Sequence, residues 1–445
     1  MPANSPPQSA RLSPTFVNAD DGHVGEFAAE HNAFDSQVDG NCDIDQAVTS
    51  QDEDLPVTSL GTTSPVRVCF MLDRLCHGGT EHWVLRLIHH LNRSRVVPSL
   101  CLLDGEDNLS RSLEPENCPV TRLGVKSLKS LRDWARSRQL SRFLREHRVD
   151  ILQTHFPDSL NYGGVVAVAS GVPHVVHTNF GDDFTHAPLL TRTVGRWANR
   201  LLAAKGLTAA VTNCEACRQD VLHDGWPENK PIYVVENGIS LAAYEDGRWA
   251  EKDVEARAEG PFNVGIVAML REEKCHDLLV QAAAIVRKTR DDVIFHLAGE
   301  GPMRTELEAQ IKSLNLSEHV ELHGMVGDVP EFLRHIDLAV LCSRNEGLPH
   351  AILEYMASRT PTIATAVGGN VEIVQDGIIG LLVPPQDAQA LAEAVLKLVA
   401  DPQRRHEMGQ AAWTRVREYY STQAMIDRFE GLYHRIAGRS RVTLK

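Results

Sequence analysis

The sequence predicts an α/β protein: two Rossmann-like domains with parallel sheets facing across a cleft, preceded by a disordered acidic tail. Three observations predict it. Short apolar, β-branched runs alternate with amphipathic helical segments, as in parallel sheets covered on both faces. That alternation stops over residues 244–261 (YEDGRWAEKDVEARAEGP), a polar and charged stretch, and restarts at Phe262. The 445 residues, 43% hydrophobic and 23% charged, suffice for two or three domains with buried cores.

Charge divides the chain. The whole carries 45 Lys+Arg against 59 Asp+Glu, a net −14. Residues 1–64 hold eleven acids and one base, Arg11, and few apolar runs, so a solvated tail is expected there. The rest is close to neutral and lacks the basic excess of a nucleic-acid binder, so no nucleic-acid partner is expected. No run reaches the roughly 18–20 apolar residues that span a bilayer. The N-terminus (MPANSPPQSARLSPTF) has no charged-then-apolar secretory pattern, and a cytoplasmic location is expected. Nine scattered cysteines do not make a disulfide framework. Cys214-Glu-Ala-Cys217 lacks the second pair a zinc site needs, and reduced core residues are the preferred reading.

Order begins at the apolar run Val66–Leu72. Further strands are expected at 150–154, 173–178, 208–212 and 232–235, the last ending in the turn signal Asn237-Gly238. After the charged break, strands are expected at 262–268, 293–298, 320–323, 337–342, 362–366 and 380–383. Helices are expected at 276–289, 302–314, 329–335, 349–358, 370–375 and 387–400. The expected domains are thus the tail 1–64, an N-terminal domain 65–258, a C-terminal domain 259–411, and helices over 412–445 that cross back to the N-terminal domain.

In open α/β sheets ligands bind beyond the carboxyl ends of the strands. Three groups of residues stand there. Leu75-Cys76-His77-Gly78-Gly79-Thr80-Glu81 links the first strand to a helix, and its glycines allow close approach to a phosphate; a plain turn is the alternative. His155 follows the strand 150–154. The densest cluster is Asn345-Glu346-Gly347-Leu348-Pro349-His350-Ala351-Ile352-Leu353-Glu354. Pro349 suits a first helical turn, whose free N–H groups attract anions. The two carboxylates suit a hydroxyl-rich ligand, each oxygen accepting from a sugar O–H. A loop acid plus an exposed helix acid is the alternative.

Here the residues resemble a known family. Glu346 and Glu354, with seven residues between them in EGLPHAILEYMAS, match the paired-glutamate motif of retaining glycosyltransferases. Residues 361–374 (PTIATAVGGNVEIV), 377–387 (GIIGLLVPPQD) and Leu297-Ala298-Gly299-Glu300-Gly301-Pro302 extend the likeness. The chain resembles glycosyltransferase family 4, of GT-B fold, over about residues 66–435, most densely in 262–390.

The resemblance implies a retaining, metal-independent transfer of sugar from a UDP- or GDP-sugar donor to a saccharide or lipid-linked acceptor, in cell-envelope or exopolysaccharide glycan synthesis. It implies no cofactor. Glu354 would hold the ribose, Glu346 the donor sugar, and the Gly347 and Leu348 N–H groups the diphosphate or sugar. Lys274 matches the family's phosphate-binding lysine. Gly78 and Gly79 would face the diphosphate from the other domain, and His155 would lie beside the donor sugar. No Asp-x-Asp metal motif stands in the strand-and-helix region. One departure is clear: Met269 occupies the family's arginine position, and Arg271 is the nearby cation that could replace it. Residues 122–148 carry nine Lys/Arg against Asp133 and Glu146. Two readings stand for them: a peripheral contact with anionic membrane at the inner face, or a solvated helix face packed on the sheet. The rival functions are a nucleotide-sugar epimerase on the same fold and a non-catalytic nucleotide-sugar-binding protein.

Overall fold

The structure, a computed structural model, describes residues 64–76, 79–105, 111–128, 130–180, 206–227, 229–245, 249 and 260–438. The expected tail, apart from residue 64, lies outside the described residues, as does Gly78. Described residues all belong to the compact unit Val57–Lys445.

Among the described residues, two sheets form, each parallel throughout. The first joins β1 (Val66–Leu72), β2 (Val96–Leu102), β3 (Val120–Arg122), β4 (Ile151–Thr154), β5 (His174–Thr178), β6 (Leu207–Thr212) and β7 (Ile232–Val234) in the order β3-β2-β1-β4-β5-β6-β7. The second joins β8 (Phe262–Val267), β9 (Val293–Ala298), β10 (Val320–Gly324), β11 (Leu338–Leu341), β12 (Thr362–Thr365) and β13 (Gly380–Val383) in the order β10-β9-β8-β11-β12-β13. Strand order reverses between β1 and β4 and again between β8 and β11. Those switch points open crevices at the carboxyl ends, where the sequence places its candidate residues.

The strands are apolar runs because both faces are covered. Every residue of β1 except Arg67 is buried. The helix α1 (Gly79–His90) lays Trp83, Val84, Leu87 and Ile88 on this sheet. On the other face, α2 (Ser137–Glu146) buries Leu140, Phe143 and Leu144. The second sheet is covered by α3 (His276–Val286), α4 (Arg304–Ser313), α5 (Val329–Arg334), α6 (His350–Ala357) and α7 (Ala388–Val399). Asp387 caps α7 by accepting from the Ala390 N–H at 2.9 Å, a typical N-cap for a short polar side chain.

The structure departs from the expected elements in four places. The strands β2 and β3 were not expected; Pro98 and Ser99 interrupt the apolar run of β2, and proline reads as a strand breaker. Pro349 does not enter α6 but precedes it in extended conformation, φ −75° and ψ 125°. The polar stretch after residue 243 is anchored to a core that is mostly the second domain's: Tyr244 and Trp249 are buried in the cluster that holds Leu333, Ile352 and Tyr355. The crossing back also comes later than residue 412. Helix α8 (Pro402–Tyr419) still belongs to the second domain, packing Ala412, Trp413 and Val416 beside α6. Among the described residues only α9 (Thr422–Ala437) crosses, burying Met425, Ile426, Phe429, Tyr433 and Ile436 with β1 and α1.

The two chain crossings are bonded to each other. Ile239 donates its N–H to the Tyr420 carbonyl at 2.8 Å, and Thr422 donates to the Ile239 carbonyl at 2.9 Å. Any relative rotation of the domains must therefore turn on this pair of strands together. Among the described residues no helix is long and apolar enough to cross a membrane.

Candidate active site

The loop after β8 runs from Ala268 to Cys275 and ends in a single helical turn, Glu272–Lys274. Cys275 then takes φ 51°, the left-handed region that costs little only for glycine, and its side chain fills the core beneath. This turn brings Lys274 to the loop after β11. The Lys274 Nζ donates to Glu346 Oε1 at 2.6 Å, and the Ser343 hydroxyl donates to the same oxygen at 2.6 Å. Two further bonds clip the loops together. The Arg344 N–H donates to the Glu273 carbonyl at 2.8 Å, and its guanidinium donates to Glu272 Oε1 at 2.8 Å.

Glu346 is held from a third side by the glycine turn after β12. The Gly369 N–H donates to the Glu346 carbonyl at 3.1 Å. Gly368 has φ 46°, and a Cβ there would collide with that same carbonyl. Glycine is thus required on two counts. Gly347 also has a neighbour across the cleft: a Cβ on it would come 2.6 Å from the Phe180 carbonyl of the first domain. Leu348 is buried, and its carbonyl accepts from Asn237 Nδ2 at 3.0 Å. Glu372 reaches over as well, accepting the Glu215 and Ala216 N–H groups, both at 2.8 Å. The domains therefore meet closely around this loop.

Glu354 lies one helix further in, half-buried on α6 and not exposed. Burial raises its carboxyl to about 7, while the Arg86 guanidinium of α1 draws it down. Burial and the same arginine lower His350 to about 4, so its imidazole is neutral. Arg86 itself donates to the Gly238 carbonyl at 3.0 Å, which fixes it at the domain crossing.

His155 stands at the carboxyl end of β4, at the first sheet's switch point, with its N–H on the Met71 carbonyl at 3.2 Å. It is buried against Phe70 and under Trp83, their ring centroids 6.2 and 5.7 Å away. Burial, then His177, lowers its pKa to about 3. Neither ring nitrogen has a hydrogen-bond partner among the described residues, an uncommon and costly state for a buried imidazole. Gly79 opens α1, and a Cβ on it would meet nothing within 4 Å among the described residues. Arg271 is exposed and 3.8 Å from Glu273, outside the Lys274–Glu346 contact.

The structure thus brings together Lys274, Glu346, Gly347 and Leu348 in the two loops at the second switch point, with Glu354 on the helix that follows. Sequence reasoning missed Ser343, Arg86 and Asn237. Ser343 had a signal, standing three residues before Glu346 in a strand-end loop. Arg86 and Asn237 had none, because only the docking of the domains brings them here. On the basic stretch 122–148, the apolar side chains of α2 face the sheet, leaving Arg138, Arg142 and Arg145 outward. Cys214 and Cys217 are buried free thiols, and Cys214 Sγ caps the helix Glu215–His223 by accepting from the Cys217 N–H at 3.4 Å.

The raised Glu354 carboxyl has a measurable consequence. Its folded pKa lies above the ordinary value, so its stabilising share is full below about pH 4.5 and is lost as pH rises through about 7. Relative to wild type, Glu354→Gln is expected to gain up to about 2–3 kcal/mol between pH 5 and pH 8.5. Urea midpoints of both proteins at the two pH values check this; an equal gap at both would refute it.

Comparison with known proteins identifies the family. Residues 247–415 match the family described as "Glycosyl transferases group 1", and residues 78–238 match "Glycosyl transferase 4-like domain". The chain is 29% identical over 282 residues to alpha-D-kanosaminyltransferase of Streptomyces kanamyceticus, covering 60% of this chain and 71% of that protein. It is 25% identical over 336 residues to the UDP-Gal:alpha-D-GlcNAc-diphosphoundecaprenol alpha-1,3-galactosyltransferase of Escherichia coli, covering 74% and 84%. Among solved structures, a glycosyltransferase from Rickettsia africae superposes with a TM-score of 0.73 at 18% identity, covering 84% of this chain and all (100%) of that one. Anabaena Alr3699/HepE, solved with UDP, gives 0.70 at 19%, covering 82% and 98%. At such identities the structural likeness speaks for the fold, which is GT-B. With both halves matched and the paired glutamates in the second, the chain belongs to the family 4 type of glycosyltransferases and is an enzyme of the hexosyltransferase class.

Proposed function

We propose that this chain moves a sugar, with retention and without a catalytic metal, from a UDP- or GDP-sugar to a saccharide or lipid-linked acceptor of the cell envelope or an exopolysaccharide. The observation that carries this reading is the convergence of Lys274 and Glu346 at 2.6 Å in the switch-point crevice. When the glycosidic bond breaks, a nucleoside diphosphate gains negative charge. The Lys274 ammonium exchanges its carboxylate partner for phosphate oxygens on donor binding and then meets that charge as it develops. The Gly347 and Leu348 N–H groups, just ahead of α6, are further donors of the same sign. Glu346, released from the lysine, accepts from donor-sugar hydroxyls, and Glu354 accepts from the ribose. Gly79 at the head of α1 leaves room for the diphosphate on the opposite wall. His155 supplies a neutral ring nitrogen that orients the sugar once Trp83 yields. The close approach of Phe180 to Gly347 supports exclusion of water, which protects the donor from hydrolysis.

The relatives favour transfer over the rivals: the Escherichia coli protein is named for a UDP-sugar donor and a lipid-linked acceptor. The outward arginines of α2 suit a salt-sensitive contact with anionic lipid at the membrane's inner face, through charge alone.

The test is nucleoside diphosphate release from a panel of UDP-, GDP- and ADP-sugars, with and without membrane extract as acceptor source. Release is expected with one donor only, dependent on extract, unchanged by a chelator, and yielding a product with the donor's anomeric configuration. Sugar isomerised without acceptor would make it an epimerase. Tight donor binding without turnover would make it a binding protein.

A further inference from the structure

A second cluster of ligating side chains lies away from this crevice, on the outer edge of the second sheet. His296 stands on β9; Glu321 and His323 stand two apart on the edge strand β10, and so project to one face. Glu321 is in direct register with His296. Their polar atoms converge: His296 Nδ1 to His323 Nε2 is 2.9 Å, His296 Nδ1 to Glu321 Oε2 is 3.4 Å, and His323 Nε2 to Glu321 Oε2 is 3.5 Å.

We propose that His296, Glu321 and His323 bind a divalent transition metal, Zn2+ foremost. Ligand atoms about 2.0–2.1 Å from a tetrahedral zinc stand roughly 3.3 Å from one another, close to the three separations seen. Two imidazoles and one carboxylate are a donor set that suits zinc and disfavours Mg2+ or Ca2+. A second observation concerns the tautomer. His296 Nε2 donates to Asn263 Oδ1 at 2.9 Å, so its proton is on Nε2 and the Nδ1 lone pair faces the other two groups. Such an outer carbonyl partner is what orients a ligating histidine. Without metal, His323 Nε2–H donates to that lone pair; with metal, His323 carries its proton on Nδ1 instead, and no net proton is released. Glu321 and the His323 ring are partly exposed, which leaves water to complete the coordination. A metal here would tie the edge strand β10 to β9, a structural clip independent of the reading of the donor site.

The full-length, untagged, chelator-treated protein is titrated with ZnCl2 by calorimetry and with CoCl2 by visible absorption. One equivalent is expected to bind, with tetrahedral Co2+ bands. His323→Ala and His296→Gln should each weaken binding at least tenfold, and Asn263→Ala by about tenfold. Because the chain has 20 histidines, crystals soaked in zinc are read by anomalous scattering. A peak between the three side chains supports the site. Unaltered affinity in a His296→Gln/His323→Ala double variant, a peak only elsewhere, or no binding by wild type would overturn it. Circular dichroism confirms that each variant is folded.

Discussion

Replacing Lys274 by Met is expected to lower kcat/KM for the sugar donor by about 10²–10³-fold, which is roughly 3–4 kcal/mol of transition-state stabilisation. Lys274 is the cation that contacts Glu346 at the switch point, and methionine keeps the stem while deleting the charge. Arg271→Ala should cost less than about fivefold, since that side chain is exposed and outside the contact. Glu346→Gln is informative beside it. If the two residues served only each other, the double variant would be no worse than the worse single one, and stability would change with rate. If each meets a different part of the donor, the double loss should approach the sum in free energy, less the 2.6 Å pair's own coupling. Folded stability should move little in Lys274→Met, because Ser343 still donates to the same Glu346 oxygen. Retention of activity within tenfold would remove Lys274 from the reaction.

The contrast between Lys274 and Arg86 shows what was legible in the sequence. Lys274, Glu346 and Glu354 sit in or beside strand-end loops of one domain, at fixed spacing along the chain, and a local pattern carries them. Gly368 is legible for the same reason: a glycine pair after an apolar strand marks a tight approach, here onto the Glu346 carbonyl. Arg86 is an ordinary mid-helix arginine until the fold brings its charge within reach of Glu354 and His350 on α6. Its effect on Glu354 and His350 belongs to the domain interface, and no local pattern encodes an interface. The strand β2 was hidden by a different cause. Parallel pairing with β1 and β3 overrode the local signal of Pro98, whose missing N–H the ladder tolerates. Likewise Tyr244 and Trp249 sit in a stretch whose charge reads as linker, yet two aromatic side chains are enough to anchor it to a core. The charged residues set the average and the aromatics set the position.

The crossing helix α9 yields the largest expected stability effect. Phe429 is fully buried, edge-on to Trp83 at 5.2 Å and beside Tyr433 at 5.8 Å. Around it, Tyr433 donates to Gln153 Oε1 at 2.6 Å, and Glu430 accepts the Asn92 N–H at 2.7 Å and pairs with Arg95 at 3.1 Å. A C-terminal helix is thus built into the first domain's core. Phe429→Ala should cost about 3–5 kcal/mol, the range for emptying a fully buried aromatic site. The loss should fall on one domain only. In calorimetry the variant is expected to show the first domain melting early while the second, with Lys274 and Glu346, melts as in wild type. Val416→Ala, on α8 in the second core, should do the reverse. Trp83 also roofs His155 at 5.7 Å, so Phe429→Ala should lower kcat as well, without abolishing donor binding to the second domain. A uniform shift of both transitions, or a cost below about 1 kcal/mol, would mean that α9 is laid on the first domain rather than part of it.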